Sequence, residues 1–224
     1  MTHWQDIDKD IGDWITQDGV EQFKKWPCIK RRMVVSPNAR WLETEKQYMA
    51  DVKEGWDATS IHHAYHFARF AESLDIRIDE IASVVEIGGG YGDACNVACD
   101  LGFRGTYSIF DLPNVSKIQR FYLQNAKCSV NFITDVAALK HQYYSYPSLA
   151  LATWSISEIE DAETRCDILM ALNRVDYFLF ALQGEWNGRD NLKYFGQWAY
   201  WRLGEWKLEK IQHIDDNYYL MGRA

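Results

Sequence analysis

With 224 residues, 47% of them hydrophobic, the chain can bury a large core and has the length of one ordinary domain. Twenty-four basic against 32 acidic residues leave a formal charge of -8, and the only basic block is Lys30-Arg31-Arg32, which argues against nucleic acid as the main partner. There is no charged-then-apolar leader and no apolar run of membrane length, and the five cysteines form no C-x-x-C pair, so the expectation is a soluble cytosolic chain with reduced thiols.

Residues 1–80 show no alternation of strand and helix and read as a helical cap, opening with Trp4, Ile7, Ile11, Trp14 and Ile15 at helical spacing. A surface loop is expected over 25–41, where Pro27 and Pro37 fall, and helix again over 41–52. A helix over 59–74 carries an apolar stripe of Ile61, Ala64, Tyr65, Ala68 and Ala71, with His62, His66 and Arg69 on a neighbouring stripe and His63 beside them. His62 and His66 have the spacing of a helical metal pair but no third ligand close in sequence, so no metal is assigned. Cys95 and Cys99 are likewise half a site, better read as helix packing.

The chain then changes character. Val84, Val85 and Ile87 are β-branched residues suited to a buried strand, and Gly88-Gly89-Gly90-Tyr91-Gly92 lets the backbone turn sharply into a helix near Asp93. The glycines form G-x-G-x-G, whereas the dinucleotide fingerprint needs its third glycine one place later, where Asp93 stands. Glu86 is a carboxylate at the end of an apolar strand, suited to the cationic amino-acid end of an adenosine cofactor.

Further strands are expected at 106–110, 129–133, 148–153 and 176–182, separated by helices at 94–101, 115–126, 136–141 and 162–173. Asp111 ends the second strand 23 residues after Gly88, where a doubly wound fold grips ribose hydroxyls. Asp135 is a candidate for the adenine amino group or for a plain helix N-cap. Trp154 to Ile159 follow the fourth strand, at the edge where such sheets place chemistry, and the loop from Gln183 to Gly188 is a candidate substrate wall. Two closing strands, at 207–214 and 218–221, are joined too directly for a crossover helix and must be antiparallel. The fold class is therefore α/β, with a seven-stranded, mostly parallel sheet ending in an antiparallel hairpin, in a single domain.

The series E-I-G-G-G-Y-G, F-D-L-P at 110–113, Gln119 with Tyr122-Leu123, and S-I-S-E-I at 155–159 resembles a family of sugar O-methyltransferases. More broadly, 80–224 resembles the Rossmann-like class I S-adenosylmethionine-dependent methyltransferases, with 81–224 as cofactor-binding core and 1–80 as substrate-covering cap. A similarity to the methyltransferase portion of large-virus glycan-building proteins would make a terminal deoxyhexose such as rhamnose the acceptor. The resemblance implies that S-adenosyl-L-methionine is the cofactor, with its amino-acid end at Glu86, Gly88, Gly89 and Gly90. It implies further that its ribose lies at Asp111 and Leu112, its adenine at Asp135 and Val136, and that Trp154 and Ser155 border it.

Methyl transfer to a sugar hydroxyl needs in-line alignment, exclusion of water and a group to take the hydroxyl proton. Glu158 and His63 are the candidate bases, with His62 in reserve; Glu158 could equally be a helix-start carboxylate. Of the aromatic residues, Trp186, Tyr194 and Trp198 are the candidate stacking surfaces for a carbohydrate ring, although most of this group is expected to pack the last helix on the sheet. Three alternatives stay open: a methyltransferase acting on a small molecule or protein, a nicotinamide-dependent oxidoreductase, and a glycan-binding module without activity.

Overall fold

The computed structural model describes residues 58–224, together with Glu45 and Gln47, both helical. The helix expected at the start of the chain and the 25–41 loop lie outside the described residues, as does most of 41–52. From α1 (Ala58–Leu74) the chain alternates: β1 (Ser83–Ile87), α2 (Asp93–Asp100), β2 (Thr106–Phe110), α3 (Pro113–Tyr122), β3 (Ser129–Ile133), α4 (Val136–Lys140) and β4 (Ser148–Thr153). It continues through the single turn α5 (Ser155–Glu158), α6 (Ala162–Ala171), β5 (Tyr177–Gln183), α7 (Asn191–Trp201), β6 (Glu205–Lys210) and β7 (Asn217–Arg223).

The seven strands form one sheet in the order β3-β2-β1-β4-β5-β7-β6. Neighbours among the first five are parallel, and β7 runs antiparallel to both β5 and β6. One reversed strand therefore closes the sheet, as the short final connection requires. The chain leaves β1 toward β2 and β3, then returns to lay β4 on the other side of β1. That reversal opens a crevice at the carboxyl ends of β1 and β4, where doubly wound sheets bind their ligands.

Side chains of the central strands alternate strictly between two cores. Val84, Leu149, Leu151, Tyr177, Leu179, Tyr219 and Met221 join α1 and α2, while Val85, Ile87, Ala150, Ala152, Phe178, Phe180 and Leu220 join α4, α6 and α7. A sheet covered on both faces needs apolar residues at most positions, which is why these strands read as nearly continuous runs, Glu86 being the buried exception in β1. Burial of each Phe or Leu contributes about 1.5–3 kcal/mol. The polar helix starts are closed locally: Asp135, Asp161 and Asp190 accept the backbone N–H of Ala138, Thr164 and Lys193, each worth about 1 kcal/mol.

The buried face of α1 differs from the apolar stripe read in the sequence. Ile61, Ala64, Phe67 and Phe70 are buried and Ala68 and Ala71 are only half-buried, so the face is rotated and takes His66 with it. The physical reason is distant in sequence: the Tyr219 hydroxyl lies 2.6 Å from His66 Nδ1 and lets a polar ring enter the core. No described helix is long and apolar enough to cross a membrane.

Candidate functional site

The loop after β1 is shaped by what its glycines leave out. Gly88 and Gly92 have φ of +71° and +100°, and a Cβ on Gly88 would stand 2.3 Å from Ser155 Cβ. A Cβ on Gly89 would meet Ile109 Cγ2 at 2.7 Å and Glu86 Oε2 at 2.8 Å, so the loop lies directly on the Glu86 carboxyl. Glu86 itself is buried and accepts the Tyr107 hydroxyl at 3.0 Å. Burial, reinforced by Asp111 and Asp93 and opposed by that hydroxyl, pushes it up to about 8. Asp93, also buried, accepts Ser60 Oγ at 3.0 Å and the Tyr122 hydroxyl at 2.7 Å, tying α1 to the start of α2. Three carboxyl groups thus gather around one glycine turn.

At the tip of β2, Asp111 accepts the Leu112 N–H through Oδ1 and Gln119 Nε2 through Oδ2, both at 2.8 Å. Gln119 Nε2 also donates to the Gly90 carbonyl at 2.8 Å, so one fully buried amide fixes the carboxylate relative to the glycine loop. Its Oε1 is buried without a hydrogen-bond partner among the described residues. The sequence motif contained Gln119 but gave it no task; spacing cannot show that a side chain eight residues on folds back to the strand tip. Asp135 caps α4 with its carboxylate, and Val136 is half-buried in the first turn.

At the tip of β4 the backbone is strained. Trp154 has φ of +66°, rare for a bulky residue and costing about 1–3 kcal/mol. It is anchored by its own N–H on the Ala181 carbonyl at 2.7 Å and by its indole N–H on Asn217 Oδ1. The bend drives Ser155 against Gly88, with the serine hydroxyl donated to the Ile87 carbonyl. Gln183 at the end of β5 serves the same tip twice, accepting the Ser157 hydroxyl and donating to Glu158 Oε1 at 2.8 Å. Burial pushes Glu158 up to about 7, with the Gln183 amide pulling the other way. The loop beyond is a two-residue ribbon, Glu185–Trp186 against Arg189–Asp190, with Arg189 donating to the Ile159 and Glu160 carbonyls at 2.9 Å.

The histidines of α1 come down onto this tip. The His62 ring lies flat on Trp154, centroids 5.1 Å apart and planes 4° from parallel, and His66 meets the same indole edge-on at 5.5 Å. His62 Nδ1 is 2.7 Å from Glu45 Oε1 and His213 Nε2 is 2.9 Å from the same oxygen. Burial pushes the Glu45 carboxyl up, but its hydrogen bonds to His213 and His62 outweigh burial and hold it below its ordinary range. An ionised carboxylate can only accept, so His62 carries its proton on Nδ1. His63 is pushed down to about 3 by burial, reinforced by His62, and its Nδ1 has no hydrogen-bond partner among the described residues. Glu45 and His213, absent from the sequence reading, are 168 residues apart and carry no spacing signal.

Two candidate stacking residues are placed elsewhere. Trp198 packs on Phe178, Phe180 and Trp206 with ring centroids 5.1–5.7 Å away, and Tyr194 lies under the Arg165 guanidinium at 3.9 Å. Both belong to the seam of α7 on the sheet, because the helix turns its aromatic stripe toward the strand centres. Arg69 also leaves the histidine group, pairing with Glu72 and Glu209 at 2.6 and 2.9 Å.

No family model and no curated protein matches the chain. Solved structures do. The methyltransferase domain of bacterial CtHen1-CN superposes with a TM-score of 0.51 at 15% identity, over 70% of this chain and 95% of that one. PigF, solved with SAH, gives 0.51 at 15% identity, over 87% of this chain and 65% of its own. An rRNA methylase from Streptococcus thermophilus gives 0.50 at 13% identity, over 72% and 93%. At such identities the likeness is one of fold: the chain has the α/β fold of the class I methyltransferases.

Proposed function

We propose that the chain is an S-adenosylmethionine-dependent methyltransferase whose acceptor is a sugar hydroxyl, a terminal deoxyhexose such as rhamnose being the first candidate. The observation that carries the reading is the set of three carboxyl groups, Glu86, Asp93 and Asp111, around a glycine turn at the switch point of the sheet. Such a cradle suits a ligand with a cationic amino-acid end and a ribose, and the unpartnered Gln119 Oε1 offers a further acceptor. A nicotinamide dinucleotide would bring a pyrophosphate to the same carboxylates, so charge disfavours the oxidoreductase reading.

The cofactor, when bound, supplies a methyl group on a positively charged sulfur. Glu86 and the loop Gly88 to Gly90 hold its amino-acid end, Asp111 and Leu112 its ribose, and Asp135 and Val136 its adenine edge. Trp154 and Ser155 border the reacting end. On the acceptor side Glu158 takes the hydroxyl proton: a carboxyl titrating at about 7 is substantially ionised at neutral pH and still basic enough to accept. A His63 held at about 3 is too weak a base for an alcohol, which leaves His62, oriented by Glu45, as the second acceptor. Trp186 offers aromatic surface to the apolar face of a sugar. An RNA acceptor is disfavoured by the formal charge of -8.

The test is methyl transfer from S-adenosylmethionine to a panel of glycosides, rhamnosides included, followed by mass. A mass gain on a sugar supports the reading. Transfer confined to non-sugar acceptors overturns the acceptor, and failure to bind the cofactor overturns the enzyme class.

A further inference from the structure

Away from the crevice, the structure assembles three thiols that the methyl-transfer reading does not use. Cys95 and Cys99 stand one turn apart on α2, and Cys128 precedes β3. Their sulfurs all lie within 4.8 Å of one another, with Cys99 to Cys128 at 2.7 Å and Cys95 to Cys128 at 3.7 Å. Cys95 and Cys99 are buried and Cys128 is half-buried, in the apolar core that holds Leu123 and Val130. Ordinary core packing has no need to bring three sulfurs to a point, and a disulfide would use only two.

A metal ion about 2.3 Å from each sulfur spaces sulfurs about 3.8 Å apart in a tetrahedral site. The Cys95–Cys128 separation already meets this, and Cys99 has only to move about 1 Å from Cys128. The Arg104 guanidinium is fixed beside Cys99 by donating to the Cys99 and Phe103 carbonyls at 2.7 and 2.6 Å. Three thiolates and a divalent ion leave one negative charge, which faces the Arg104 guanidinium at the exposed edge of the cluster. A monovalent ion would leave one negative charge uncompensated.

We propose that Cys95, Cys99 and Cys128 bind one thiophilic divalent metal ion of the Zn2+ class, each thiol giving up its proton to solvent, with water in the fourth position on the half-buried side. The site is independent of methyl transfer. Its geometry is that of three protein ligands with one open position, and binding is stronger at higher pH because the thiols must ionise.

The test uses the full chain, reduced, metal-free and anaerobic, titrated with Cd2+ and followed by thiolate-to-metal charge-transfer absorption. The expected result is an endpoint at one equivalent, one Zn2+ taken up by the metal-free chain in competition with a chromophoric chelator, and affinity for both ions lowered by at least about 10-fold in Cys128→Ser. Cys166→Ser, at an exposed thiol outside the cluster, should leave the titration unchanged. If Cys128→Ser loses its native near-ultraviolet circular dichroism, Cys95→Ser is read in its place. Three results would overturn the proposal: no band at one equivalent, a band indifferent to the cluster variants, or no Zn2+ uptake by the metal-free chain in competition with a chromophoric chelator.

Discussion

Trp154 and Trp198 are the same residue in opposite circumstances. Trp154 sits at a strand tip with a strained backbone, its indole N–H donated to Asn217 and its ring shared with two histidines. Trp198 sits on a helix seam among Phe178, Phe180 and Trp206, with the Arg202 guanidinium 5.6 Å from its ring centroid. The contrast extends to the regions they represent. The β1–β4 crevice concentrates polar groups whose ionisation is displaced by burial, and the α7 seam concentrates apolar area. The first holds strained backbone and buried carboxyl groups at a cost in stability, whereas the second supplies stability.

Separate measurements should pull the two regions apart. The largest effect is expected in turnover: Glu158→Gln should lower kcat about 10²–10⁴-fold, with cofactor affinity and thermal transition nearly unchanged. The acid limb near pH 7 should vanish with it, since activity in the parent falls as protonation removes the base below about 7. Full activity in this variant would remove Glu158 from the role and leave His62. Trp198→Ala should do the reverse, costing about 3 kcal/mol in chemical denaturation while Kd for the cofactor stays within twofold. Next, Asp111→Ala should weaken cofactor binding by about 10–100-fold through lost charged hydrogen bonds, as read by calorimetry. An Asp111→Ala chain that binds normally would place the ribose elsewhere.

The smallest effect is one of pH on stability. Because burial raises Glu86, the native chain binds a proton that the unfolded chain has released, so the group's contribution is present in acid and lost as pH rises through about 8. Between pH 7 and 8.5 this amounts to a loss of about 1 kcal/mol, which Glu86→Gln should abolish. A parent chain equally stable at both values would contradict the protonated Glu86.

How much of this was legible in the sequence depended on the distance over which each cause acts. The strands could be read because a sheet covered on both faces imposes apolar runs such as Ser148–Thr153, and the reversed last strand followed from a connection too short for a crossover. Glu86, the glycine turn and the Asp111 tip were readable from spacings under 30 residues. The face of α1 was not, because His66 is admitted to the core by a tyrosine 153 residues away. The same holds for Glu45 beneath His62 and His213, and for Asn217 under the Trp154 indole. Tyr194 and Trp198 were candidates for carbohydrate because composition shows that aromatic residues are plentiful, not which side of a helix they occupy. The thiol cluster was half visible as Cys95 and Cys99; Cys128 joins it only once β3 is laid beside β2.

The most direct measurement is calorimetric titration of the chain with S-adenosylmethionine at pH 7, repeated in buffers of different ionisation enthalpy. Binding at one site, with release of up to one proton as Glu86 ionises beside a cationic ligand, is the predicted result. Absence of binding, or equal affinity for NAD, would contradict the cofactor assignment on which the proposed methyl transfer depends.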